Sequence, residues 1–128
     1  MTQALDIPEV VAEVRAAFGE YEQALVTNDV TTLDRLFWQD PRVVRYGAGE
    51  VLYGYEQIAA FRSARPGKNL ARTLQNTTIT THGHDLATVW TEFVRPGVNR
   101  RGRQSQVWAR LPEGWRVVAA HVSFMDEE

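Results

Sequence analysis

Apolar positions recur at helical spacing through the first half of the chain and at every second position through the second half. Asp6-Ile7-Pro8-Glu9 predicts a helix start, with Asp6 as cap, Pro8 in the first turn and Glu9 completing a capping box. Val11, Val14, Phe18, Tyr21 and Leu25 then form one stripe, which predicts a helix ending near Val26. Asn28-Asp29 breaks it and caps a shorter helix through Leu33, Leu36 and Phe37. Arg42 to Tyr46 reads as a strand, followed by a glycine-rich turn and a short returning strand at Val51-Leu52-Tyr53. Gly54 leads into a helix from Tyr55 to Arg65 that buries Ile58 and Phe61, and Pro66-Gly67 ends it.

From Leu70 onward the period is that of a strand. Ala71 to Thr81, Leu86 to Arg95, Gly102 to Leu111 and Trp115 to Phe124 predict a meander of long antiparallel strands joined by Gly- and Pro-containing turns. No repeat, linker or low-complexity tract divides the chain, so residues 1–128 read as one domain. Helices followed by a curved antiparallel sheet predict an α+β cone, with the helices across the concave face and a ligand pocket at the open end. Strict alternation places Trp115, Val117, Ala119, His121 and Ser123 together on the outer face, joined by Trp90. An apolar patch of that width predicts a homodimer or higher homo-oligomer.

Composition narrows the function. Of 128 residues, 44% are hydrophobic and 23% charged, an ordinary globular balance. A net charge of −2 gives no footprint for nucleic acid or an acidic membrane. Lys68 is the sole lysine among the basic residues. Arginine favours planar contacts to carboxylates, although base composition of the genome explains the bias as simply. The chain has no cysteine, which removes disulfides and thiol chemistry. Neither a signal peptide nor a membrane-spanning run is visible, so the expected location is the cytoplasm.

The stretch from Phe37 to Gly47 carries the sharpest chemical question. Alternation puts Arg45 on the face of Val43, the face a small domain buries. A buried guanidinium cannot discharge and demands an anion. Glu20, Glu50 or Glu92 supplies it, or a ligand does.

Other polar residues on inward faces have two readings each. Tyr21 on the apolar stripe is either a core aromatic or a site hydroxyl. Arg72 opens a strand as a rim cation or a solvated one, and Asn76 shares its direction by alternation. Gln104 and Gln106 are neutral donors and acceptors suited to urea-like groups, or else a solvent-facing strand edge. His82 and His84 flank a tight turn without a third ligand fixed nearby, so no metal is assigned. His121 points to the back of the sheet, and Arg100-Arg101-Gly102-Arg103 reads as a solvated hairpin cluster. There is no phosphate loop or nucleophile motif.

The element order, and the closing hairpin from Arg110 to Ser123, resemble the nuclear transport factor 2-like, SnoaL-like superfamily with its cystatin-like cone. Tyr21-Glu22-Gln23-Ala24-Leu25, the Phe37 to Gly47 block, Leu52-Tyr53-Gly54, Phe61-Arg62, Gly102-Arg103-Gln104-Ser105-Gln106 and Ala119-Ala120-His121-Val122-Ser123 resemble, in order, the AtzH/HpxZ family. That family accompanies amidohydrolases in the breakdown of cyanuric acid and oxalurate.

Against the ketosteroid isomerases of the same superfamily, Tyr21 falls on their helix tyrosine and Arg45 replaces their acid-base carboxylate. A proton shuttle has become a fixed cation, which turns the site toward anions. The same alignment directs Gln104, Gln106, Ala120 and Val122 inward.

The resemblance implies a cofactor-independent decarboxylating amidohydrolase that converts 1,3-dicarboxyurea to urea-1-carboxylate (allophanate). Tyr21 would donate the proton, Arg45 would lower its pKa or hold the retained carboxylate, and Arg72, Asn76, Gln104 and Gln106 would bind substrate. A non-catalytic metabolite-binding or accessory subunit of a ureido-acid amidohydrolase, in the oxalurate pathway, is the other implied role.

Overall fold

The computed structural model describes residues 4–127. Helix α1 (Pro8–Val26) carries Pro8 in its first turn, and its buried stripe runs through Val10, Val14, Phe18, Tyr21, Ala24 and Leu25, with Val10 in place of the expected Val11. Asp6 does not cap it. Ile7 takes the N-cap position. Asp6 instead adopts φ 53°, donates its N–H to the Thr81 carbonyl at 3.1 Å and accepts the Thr81 N–H on Oδ1 at 2.9 Å. The expected cap is a clamp that fastens the start of the chain to the sheet. Helix α2 (Val30–Leu36) begins as expected, with Asp29 accepting the Thr32 N–H at 3.2 Å. Phe37 has left the helix and bridges Val117.

Strand β1 (Val44–Tyr46) starts later than the sequence suggests, because Asp40 folds back to accept the Arg42 N–H at 2.9 Å and holds a turn there. Strand β2 (Val51–Tyr53) pairs with β1, and helix α3 (Tyr55–Ala64) follows. Helix α3 buries Ile58 and Arg62, while Phe61 is half-buried. The long strands are β3 (Thr73–His82), β4 (Leu86–Val94), β5 (Gly102–Leu111) and β6 (Gly114–Phe124). They lie in a six-stranded sheet of order β2-β1-β6-β5-β4-β3. All pairs are antiparallel except β1 on β6, which places Arg45 beside Ala120 on the helix-covered face.

Two bulges reset the alternation. Between β3 and β4 the register slips from Gln75↔Glu92 to Thr78↔Trp90, with Asn76 at φ 54°. Asparagine tolerates that left-handed backbone, and the extra residue turns Asn76 outward, away from the direction of Arg72. Between β5 and β6 the register slips from Val107↔Ala119 to Trp108↔Val117. Trp115 and Val117 consequently face the core, at 8% and 0% exposure, rather than the outer patch expected from alternation. Ala119, His121 and Ser123 keep the outer face.

Between helices and sheet lies a core that includes Trp108, Phe37, Phe93, Leu33, Leu36 and Ile58. Gly102 is required here by contact: a Cβ would lie 2.1 Å from the Phe93 ring, which covers this point of β5. Among the described residues, no helix is long and apolar enough to cross a membrane.

Candidate active site

Polar side chains interrupt the core along one line on the inner face of β4 and β5. Thr91, Gln104 and Gln106 are all buried there, and Tyr21 of α1 packs on Trp108, the next residue of β5 on the same face. Tyr21 is 5% exposed and packs its ring against Phe18, Phe37 and Trp108, with centroids 6.3, 6.2 and 6.5 Å away. Gln106 is oriented by the indole of Trp108, which donates Nε1–H to its Oε1 at 3.0 Å. Gln104 is oriented by Arg72, whose Nη2 donates to its Oε1 at 3.2 Å. The Gln104 amide nitrogen is buried without an acceptor.

Five arginines come from α3, from β1 and from either side of β3 and β4, and their charge balance is uneven. Arg72 is 1% exposed, lies over the Phe93 ring, and gives Nε and Nη2 to the two oxygens of Glu22 at 2.7 and 2.6 Å. Arg45 gives Nη1 to Glu50 at 2.7 Å and lies 5.6 Å from the Phe61 ring centroid. Of the partners open to it from sequence, Glu50 is therefore the one it takes. Glu20 pairs with Arg35, and Glu92 with Arg101. Arg62 gives Nη1 to Asp34 at 2.7 Å beneath Phe37.

Arg65 and Arg95 differ from these. Among the described residues neither has a carboxylate at ion-pair distance. Arg95 donates to the Asn69 carbonyl at 2.6 Å. Arg65 has both Nε and Nη2 buried without an acceptor. Burial pushes the Arg65 guanidinium below the ordinary arginine value; Tyr21 opposes this, while Arg45, Arg62 and Arg95 add to it. Burial likewise lowers Arg95, with Arg72 adding and Glu22 and Tyr21 opposing. The interior thus concentrates positive charge and hydrogen-bond donors around one phenol.

The residues named from sequence separate into two groups. Tyr21, Arg45, Arg72, Gln104 and Gln106 share the helix-covered side. Asn76 does not: it donates to Glu92 at 3.0 Å and lines a depression of about 530 Å³ on the outer face with Trp90, Ser105, His121 and Ser123. His121 is outward as expected, edge-on to Tyr46 at 5.6 Å. The hairpin cluster is less solvated than expected, since Arg100 donates to the Met125 carbonyl and Arg101 to Gln75 and Glu92.

Sequence reasoning missed Glu22, Arg62, Arg65 and Arg95. A signal existed for three of them. Glu22 lies four residues after Phe18, and Arg62 and Arg65 lie four and seven after Ile58, so all continue buried stripes.

No curated protein matches the chain. Solved structures do. A protein of unknown function from the DUF3225 family of Pectobacterium atrosepticum is 58% identical over 95% of both chains, with a TM-score of 0.94. A cystatin-like fold protein from Burkholderia xenovorans is 47% identical over 98% of this chain and 99% of its own, also at 0.94. A nuclear transport factor 2-like protein of Salmonella enterica is 27% identical over 93% of both, at 0.73. The cone is the cystatin-like, nuclear transport factor 2-like fold. The AtzH-like family profile matches residues 3–128, and the chain belongs to the AtzH-like family.

Proposed function

We propose that the interior is the active site of a cofactor-independent decarboxylase for a small carboxylated urea, with 1,3-dicarboxyurea the substrate implied by the family. The observation that carries this reading is Arg65, whose Nε and Nη2 are buried without an acceptor, together with the half-buried Arg95; among the described residues neither guanidinium has a carboxylate at ion-pair distance, and both interact with Tyr21. Uncompensated buried cations are costly, and a small dianion offsets them. Arg65 Nε and Nη2 and the Gln104 amide nitrogen are donors without an acceptor, which suits a ligand rich in acceptors.

In the reaction the C–N bond to one carboxylate breaks, its electron pair goes to nitrogen, and carbon dioxide leaves. Nitrogen takes one proton, so 1,3-dicarboxyurea and H⁺ give urea-1-carboxylate and CO₂. Tyr21 is the proposed donor, since its ring is fixed between Phe18, Phe37 and Trp108 and its phenol interacts with the Arg65 and Arg95 guanidiniums. Arg45, held by Glu50, supplies positive charge without gripping the departing carboxylate. That restraint matters because a tight grip would stabilise the ground state more than the transition state. A homodimer through the outer face belongs to the same reading, with Trp90, Tyr46 and Tyr53 exposed there.

The test is turnover by the purified chain, with carbon dioxide and ammonia measured separately from 1,3-dicarboxyurea generated in the assay. Stoichiometric carbon dioxide without ammonia supports the decarboxylase. Ligand-induced stabilisation with no product overturns it in favour of a binding or accessory subunit.

A further inference from the structure

We infer that Arg65 is the specificity-determining residue of this site, and that its Nε–Nη2 edge clamps the carboxylate that the substrate retains. The inference rests on the reading above of a carboxylated urea as ligand. The same edge of a neighbouring arginine shows what it fits. Arg72 uses Nε and Nη2 to hold both oxygens of Glu22, at 2.7 and 2.6 Å. In Arg65 the equivalent atoms are both buried and both lack an acceptor. A planar fork of this shape matches a carboxylate in two parallel hydrogen bonds.

Local structure explains why the fork stays open. Arg65 follows the last residue of α3, and its N–H donates to the Phe61 carbonyl at 3.1 Å. Pro66 prevents the helix from continuing. One turn earlier Arg62 is already committed to Asp34 and Phe37. Arg45 has Glu50, and Arg72 has Glu22. Arg95 has the Asn69 carbonyl, and among the described residues Arg65 is the arginine whose Nε and Nη2 are both buried without an acceptor. Gln104 extends the pattern. Arg72 fixes its carbonyl end, and the buried amide nitrogen is left as a third open donor for the urea oxygen.

The alternative is that Arg65 merely complements the negative end of the α3 dipole. The two roles predict different behaviour. N-carbamoylglycine carries a urea and a carboxylate, and its amide has the same shape without the charge. Their dissociation constants are measured for the unaltered protein, Arg65→Met and Arg65→Lys, together with the thermal midpoint of each.

The unaltered protein should prefer the acid. Arg65→Met should weaken acid binding roughly 10–100-fold, the equivalent of one charge-assisted pair, and leave the amide unchanged. Arg65→Lys should recover only part, because an ammonium lacks the fork. The midpoint of Arg65→Met should hold or rise, since two buried donors without an acceptor have been removed.

Unchanged acid preference in Arg65→Met overturns the inference, as does a lowered midpoint that Arg65→Lys restores without any ligand effect. Failure to release carbon dioxide from 1,3-dicarboxyurea, with the acid preference still dependent on Arg65, would sink the decarboxylase reading and leave this one standing.

Discussion

Arg72 and Glu22 are joined by two parallel hydrogen bonds, and the arginine side chain is 1% exposed. The pair ties α1 to the start of β3 across a separation of 50 residues, and it aims Gln104. Arg72 is therefore a positioning residue more than a ligand contact, because its best donors are already spent. Glu22→Gln should leave the guanidinium buried with a neutral partner. Breaking a buried pair from one side costs about 3–5 kcal/mol. Denaturant unfolding should show that loss as a lower transition midpoint with an unaltered slope. A change within experimental error would mean that water reaches the pair.

Arg45 and Glu50 form a looser pair, with side-chain exposures of 13% and 24%. When Arg45 is replaced by Met, Glu50 can turn toward water. The fold should survive with a modest drop in midpoint while turnover disappears. A steep fall in midpoint would assign Arg45 a purely structural role. A gentler probe is available at Gly47, where a Cβ would lie 1.7 Å from the Glu50 carboxylate oxygen. Gly47→Ala should push Glu50 aside and free Arg45 to bind anions more tightly.

Most of the fold was legible because helical stripes and strand alternation are local rules. Tyr21, Gln104 and Gln106 are buried, in line with their phase in the pattern, since no bulge lies between them and the residues that set it. The side chains assigned to the wrong face of the sheet share one cause. Asn76 and the pair Trp115 and Val117 lie beyond bulges, and a single extra residue reverses every later side chain. A bulge answers to the partner strand, so its position is not written in the strand's own pattern. The cations failed for a different reason. Arg62 and Arg65 continue the buried stripe of Ile58, yet an arginine is read as solvated until a partner is known. The partner of Arg62, Asp34, lies 28 residues away, and Arg65 has two buried donors without any acceptor, so neither setting is local in sequence.

Loss of Trp115 and Val117 from the outer face narrows the proposed dimer surface without removing it. Trp90 and Tyr53 remain 59% and 55% exposed; Trp90 lines the same depression as His121, and Tyr53 packs on Tyr46, which touches His121. Sedimentation at micromolar concentration should give a dimer, and Trp90→Glu should shift it toward monomer by placing a charge in the apolar patch. A monomer in the unaltered protein would discard the interface. The core site should be unaffected by Trp90→Glu, because Trp90 points away from the helices.

Tyr21 offers the strictest test of the chemistry. Its ring fills the space between Phe18, Phe37 and Trp108, so phenylalanine preserves the packing and deletes only the hydroxyl. Stability should change little. Binding of a carboxylated urea should persist, because the Arg65 fork, Gln104 and Gln106 remain in place. Turnover should fall by roughly 10²–10⁴-fold, the range a positioned general acid supplies. The combination is diagnostic: intact fold and intact binding with a lost rate isolates proton transfer from every other role. Should Tyr21→Phe release carbon dioxide at the parent rate, the proton comes from elsewhere, and Tyr21 is a core aromatic that happens to face the site.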